Sequence, residues 1–214
     1  MRINRLTLGA LFLTGAVLLS ACVSPQERID SLPLQDFLVT EEELPEGFVA
    51  TPITGTELAR ATEGNLVPRP ARCIEPSKTW MDDTQSAVGT YLEYPAADVV
   101  VALLLIRPPQ GFLPIETYTK YCGYHRRIGK GLRITVRVKD FAPPETPALW
   151  SMGYQETITL PKSAPVSSTY LYTTYAGISV IAILRSRKEL PTRAQIGSLN
   201  SIFKGQIEKI YGAK

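Results

Sequence analysis

The sequence predicts an α+β domain: a mainly antiparallel sheet packed by helices, one of them amphipathic and C-terminal. Three observations predict it. Val99–Ile106 (VVVALLLI) and Gly177–Leu184 (GISVIAIL) are continuously apolar yet too short for membrane helices, as expected of strands covered on both faces. Leu132–Val138 alternates, with Leu132, Ile134, Val136 and Val138 on one side and Arg133, Thr135 and Arg137 on the other, the pattern of a half-buried antiparallel strand. After Pro191 the period changes. With Thr192 as N-cap, Ile196, Leu199, Ile202, Phe203, Ile207 and Ile210 share one face of a helix that Gly212 ends.

Composition agrees with a packed domain. The chain has 214 residues, 44% hydrophobic and 20% charged, with ten Tyr. That excludes a disordered chain, a collagen, a coiled coil and a polytopic membrane protein. A net charge of +3 is too small to imply a nucleic-acid partner.

Taken in order, the chain opens with Met1–Ala21, where Arg2 and Arg5 precede an apolar run from Leu6 to Leu19. The run is shorter than the roughly 20 residues a spanning helix needs and suits the apolar region of a secretory signal peptide. It leads into Leu19-Ser20-Ala21-Cys22. A branched residue, two small residues and Cys resemble the lipobox of bacterial lipoproteins. The resemblance implies cleavage before Cys22, with diacylglycerol on its sulfur, and so a lipid anchor on the extracytoplasmic face of the cell membrane. Two or more acyl chains hold stably where one holds marginally. The plainer readings are an uncleaved helical anchor, or an ordinary signal peptide with a chance Cys.

If Cys22 carries lipid, Cys73 and Cys122 remain. An even remainder in an oxidising compartment suggests a disulfide; the alternative is two separate buried thiols. Neither stands in a CxxC pair. Residues 22–37 are polar, hold Pro25 and Pro33 and read as a tether, so the domain is expected to run from 38 to 214. Thr40 and Glu43 form a capping-box pair, and Pro45 limits any helix there to one turn. A short helix is expected around Glu57–Glu63. Strands follow at Val88–Tyr94 and Val99–Ile106, then a helix over Ile115–Ile128, on which Ile115, Tyr118, Tyr121, Cys122 and His125 recur at threes and fours. Trp150–Leu160 and Ser168–Tyr175 complete six strands with those already named.

These landmarks carry a second resemblance. Leu44-Pro45-Glu46-Gly47-Phe48, then Pro70-Ala71-Arg72-Cys73, two strands, a helix bearing Cys122, further strands and a closing helix follow one another in order. The order resembles the extracytoplasmic sensor-like domain of an actinobacterial serine/threonine kinase and the envelope lipoproteins that share it. The resemblance implies a non-enzymatic ligand-binding or sensory module with a cleft. This chain has two domain cysteines where the kinase domain uses two disulfides, so no ligand-contacting residue carries over.

Motifs for catalysis are missing. There is no GxSxG, no GxxxxGK[ST], no GxGxxG and no HExxH. A metal site built from clustered Cys and His would exhaust the one His and three Cys, with His125 alone no two-His zinc site can be built, and no cofactor is expected. Asp82 and Asp83 are adjacent and suit capping or solvation better than a converging carboxylate pair. The alternative classes are a hydrolase with a dispersed site and a structural envelope protein that contacts other proteins.

Two features suit binding. Lys120, Arg126, Arg127, Lys130, Arg133, Arg137 and Lys139 form a basic stretch with no acid between Glu116 and Asp140. Its natural partners are anionic lipid headgroups or phosphate-bearing cell-wall polymers; the plainer reading is a solvated strand face. Tyr118, Tyr121, Tyr170 and Tyr172 would make an amphipathic ligand wall, or else ordinary sheet and core residues.

Overall fold

A computed structural model describes residues 29–57, 66–74, 86–94, 99–107, 115–129, 131–186 and 190–212. The expected signal peptide (residues 1–21), Cys22, Asp82, Asp83, Lys130 and residues 58–63 of the expected short helix lie outside the described residues.

One antiparallel sheet dominates. Its strands are β1 (Val49–Thr54), β2 (Val67–Arg69), β3 (Val88–Tyr94), β4 (Val99–Ile106), β5 (Tyr124–Gly129), β6 (Leu132–Phe141), β7 (Ser151–Thr159), β8 (Val166–Tyr175) and β9 (Ile178–Ser186). They lie in the order β1-β3-β4-β9-β8-β7-β6-β5-β2. Among the described residues the sheet is joined by the helices α1 (Ile115–Cys122) and α2 (Arg193–Gly212). The molecule is thus mostly sheet, with a few helices including the C-terminal one. No helix among the described residues is long and apolar enough to cross a membrane.

The two continuously apolar segments are β4 and β9, paired with each other from Val99–Ser186 to Ile106–Ser179. Each presents alternate residues to two cores. Val99, Val101, Leu103, Leu105, Ile178, Val180, Ala182 and Leu184 meet α2 through Leu199, Ile202, Phe203, Ile207 and Ile210. Ala102, Leu104, Ile106, Ile181 and Ile183 face the other way, toward Cys73, Cys122 and Tyr118. We call these the helix face and the disulfide face. Continuous apolarity here follows from burial on both sides. Thr192 does cap α2: its Oγ1 accepts from Gln195 N at 3.3 Å, and its N–H donates to Gln195 Oε1 at 2.8 Å.

Three strands of the nine described go beyond the six that the sequence predicts. β1 and β2 carry Pro52 and Pro68, which break the strand signal, but both are edge strands, the place in a sheet where proline is tolerated. The third, β5, replaces the second half of the helix expected over Ile115–Ile128. That helix stops at Cys122, and the carbonyl of Gly123 accepts from Val138 N at 2.8 Å as the chain enters the sheet. His125 and Arg127 then turn inward while Tyr124, Arg126 and Ile128 turn outward, a period of two. Spacings of three and four through Tyr121, Cys122 and His125 had disguised it. Gly131, at φ 75°, turns the chain between β5 and β6.

Packing also reaches further toward the N-terminus than the tether reading placed it. Ile29 and Phe37 are buried in the helix-face core. Arg107 donates to the carbonyls of Ile29 and Leu32 at 2.6 and 2.8 Å. Gln206, buried on α2, accepts from Val39 N at 3.0 Å and donates to the Phe37 carbonyl at 2.5 Å. In Leu44–Phe48, Gly47 adopts φ 90° and Phe48 stacks on Tyr94 with centroids 5.2 Å apart.

Candidate functional site

The disulfide face holds a buried polar cluster beneath α1. Pro70–Cys73 makes a single 3-10 turn that brings Cys73 to Cys122, and the two are disulfide-bonded with Cα atoms 5.7 Å apart. The bond fixes the last turn of α1, so Tyr118, one turn earlier, points into the sheet. Register then sets its neighbours. His125 pairs with Val136 and Arg127 with Ile134; Val138 pairs with Glu156, and Tyr154 with Tyr170, so their side chains share one face.

Arg127 Nη2 lies 2.8 Å from Glu156 Oε1 and donates to Tyr118 Oη at 3.0 Å. Tyr118 Oη donates onward to Glu156 Oε2 at 3.4 Å and lies 3.5 Å from His125 Nε2. Tyr154 stacks on Tyr170 with centroids 4.4 Å apart. Burial, with the Glu156 carboxylate nearby, raises the Tyr118 hydroxyl well above the ordinary tyrosine range. The same two causes push Tyr170 up to about 12. For Arg127 burial opposes the charge, yet Glu156, Tyr118 and Tyr170 together outweigh it and hold the guanidinium protonated. Arg127, Glu156, Tyr118 and His125 thus face one another in a single buried polar chain that braces α1 against the sheet.

His125 is only 1% exposed, and its Nδ1 lies 2.8 Å from the Cys122 carbonyl. Burial lowers its pKa below the usual 6.5. The unfolded chain therefore takes up a proton below about pH 6.5 that the folded chain refuses, so this stability is present above that pH and lost as pH falls. His125 is the chain's single histidine. The urea midpoint should fall between about pH 7.5 and 5.5, and His125→Gln should flatten that slope. An unchanged slope in the variant would assign the titration elsewhere.

The basic stretch divides between the two faces. Arg127 is drawn inward by Glu156, with 26% of its side chain still exposed. Arg126, Arg133 and Arg137 stand on the opposite, helix face of the outer wing formed by β2, β5 and β6, joined by Arg69 and Lys139. All five are exposed. Register sets them in rows: Arg69 opposite Arg126, Val67 opposite Ile128 opposite Arg133, Tyr124 opposite Arg137. Tyr124, Val67 and Ile128 are 56%, 44% and 37% exposed, and the Arg137 guanidinium lies 6.0 Å from the Tyr124 ring centroid. Among the described residues no carboxylate stands on this face of β2, β5, β6 or β7. α2 covers β4, β8 and β9 of the same face and leaves this wing open. Arg69 carries no sequence signal of its own, because Pro68 breaks the pattern of its edge strand; pairing, not sequence proximity, places it.

The tyrosines do not form one ligand wall. Tyr118 and Tyr172 are buried in the disulfide-face core, and Tyr170 packs against it. Tyr172 meets Trp150 edge-on at 5.5 Å and shares hydrogen bonds with Thr174 and Ser179. Tyr121 alone is exposed, on the outer side of α1. A shallow depression of 270 Å³ lies elsewhere, between Phe48, Tyr94 and Val99 and the start of α2 at Thr192, Gln195 and Ser198. No group of three His, Cys, Asp or Glu side chains could hold a metal among the described residues.

No family model matches the chain. No curated protein matches it either. Among solved structures, the X-ray structure of an uncharacterized Mycobacterium smegmatis protein, the Rv0999 ortholog, is similar at 12% identity and a TM-score of 0.52, over 86% of this chain and 96% of that one. At that identity the likeness concerns the fold alone.

Proposed function

We propose that the protein is an extracytoplasmic lipoprotein, anchored through diacylglycerol on Cys22, whose domain is a non-catalytic ligand-binding or sensory module of the cell envelope. The observation that carries the binding half is the open basic wing. Five exposed cations on one sheet face, with no facing carboxylate among the described residues, form a preset field for an anionic ligand. The anchor rests on Leu19-Ser20-Ala21-Cys22 behind a charged, apolar leader. Kinship with the kinase sensor-like domain is supported by landmark order, now with roles attached. Leu44–Phe48 brings Phe48 onto Tyr94, and Pro70–Cys73 presents the cysteine that ties down α1.

Metabolic labelling with an alkyne fatty acid tests the anchor. The wild-type chain should take up label and sediment with membranes, and Cys22→Ala should take up none. Label on the variant, or none on the wild type, would remove lipidation at Cys22.

A further inference from the structure

We infer that the outer wing of the helix face, carrying Arg69, Arg126, Arg133, Arg137 and Lys139, is a docking surface for an anionic phospholipid bilayer. The inference rests on the lipoprotein reading above and adds a surface and a partner to it.

The wing is built against its own stability. Arg69 and Arg126 are directly opposed across the β2–β5 pair, where like charges repel. Nothing within the described residues compensates them: the acids nearest in the sheet, Glu156 and Asp140, stand on the disulfide face, and Glu156 is taken by Arg127. An external anion would turn this repulsion into attraction.

The chemistry of the neighbours selects a bilayer over a soluble polyanion. Val67, Ile128 and Tyr124 stand exposed in the same rows as the cations. A phosphate polymer would leave them wet. A bilayer surface offers headgroup phosphates to the guanidiniums and an apolar boundary to the side chains between them. Tyr suits that boundary because its ring is apolar and its tip polar.

Chain length agrees. Ile29 is already packed on the helix-face core, and seven residues from Cys22 span at most about 25 Å. A lipid on Cys22 would therefore hold this face's side of the domain close to the membrane. Five cations at about fivefold in binding each make a strong combined contact at low salt, and one that salt weakens.

The test uses residues 23–214, which keep every described element, with no lipid of their own. Cosedimentation with phosphatidylglycerol vesicles at about 0.1 M salt should show binding, and pure phosphatidylcholine vesicles should show little. Arg126→Gln with Arg133→Gln should weaken binding roughly 30-fold, with thermal unfolding unchanged or raised because the opposed pair is relieved. Tyr124→Ser should weaken vesicle binding while leaving binding to soluble poly(glycerol phosphate) unchanged. The inference is overturned if the parent ignores phosphatidylglycerol, if the Gln variant binds as the parent does, or if the soluble polymer binds as tightly as the vesicles with Tyr124 irrelevant to both. Fatty-acid labelling that still depends on Cys22 would then leave the anchor standing and remove only the docking surface.

Discussion

Breaking the bond between Cys73 and Cys122, by reductant or by replacing both with alanine, should lower the unfolding free energy by about 4 kcal/mol and the melting temperature by roughly 10 °C. The bond joins residues 49 apart in sequence, and a closed loop of that length removes much of the freedom of the unfolded chain. There is a local reason as well. α1 has only eight residues, too few to stand as a helix without tertiary support, and the disulfide pins its last turn. Thermal melts with and without reductant should differ for the parent and coincide for Cys73→Ala/Cys122→Ala. Coincident melts for the parent would sink the prediction. Near-ultraviolet circular dichroism should change with the first loss of structure, because Tyr118 leaves Tyr154 when α1 lifts.

Removing the guanidinium beneath that helix should be nearly as damaging. Arg127→Met strands the Glu156 carboxylate, only 5% exposed, with Tyr118 as its remaining side-chain donor. Uncompensated buried charge of this kind lowers stability by about 3–5 kcal/mol. Glu156→Leu should be milder, since the Arg127 side chain is 26% exposed and can turn toward water. The double variant Arg127→Met/Glu156→Leu should return close to the parent, because apolar packing replaces a pair whose desolvation offsets its attraction. Denaturant unfolding of all four proteins closes the cycle. A coupling energy near zero would show that the pair does not act as a unit.

Both results concern residues whose roles the sequence revealed unevenly. β4 and β9 were legible because burial on two faces leaves an unbroken apolar run, and β6 because its two faces differ. The helix α2 was legible from its period and its Thr192 cap. β5 was not, because Tyr121, Cys122 and His125 satisfy a helical spacing while the residues from Tyr124 onward alternate, and only pairing with β6 decides between them. The same pairing decides the candidate site. Arg126 and Arg127 are neighbours in sequence, yet one faces solvent and the other Glu156. Arg69 is distant in sequence and sits opposite Arg126. Cross-strand register is a property of the folded sheet, and a single sequence carries little of it. Gln206 was illegible for another reason: an amide on the apolar face of a helix looks like an interruption until Phe37 and Val39 arrive to use it.

The order of strands also governs how the chain comes to be folded. β5 to β9 each lie beside their neighbour in sequence, so that half can zip up locally, strand after strand. β4 cannot join it early. Its partner β9 lies about 70 to 90 residues downstream, a long loop to close. In a chain that emerges N-terminus first, Val99–Ile106 therefore appears well before β9 and waits with an unpaired edge. This is the most apolar strand edge in the molecule, and an open apolar edge is a template for self-association. The segment that anchors the finished sheet is thus the one most exposed to aggregation in the nascent chain.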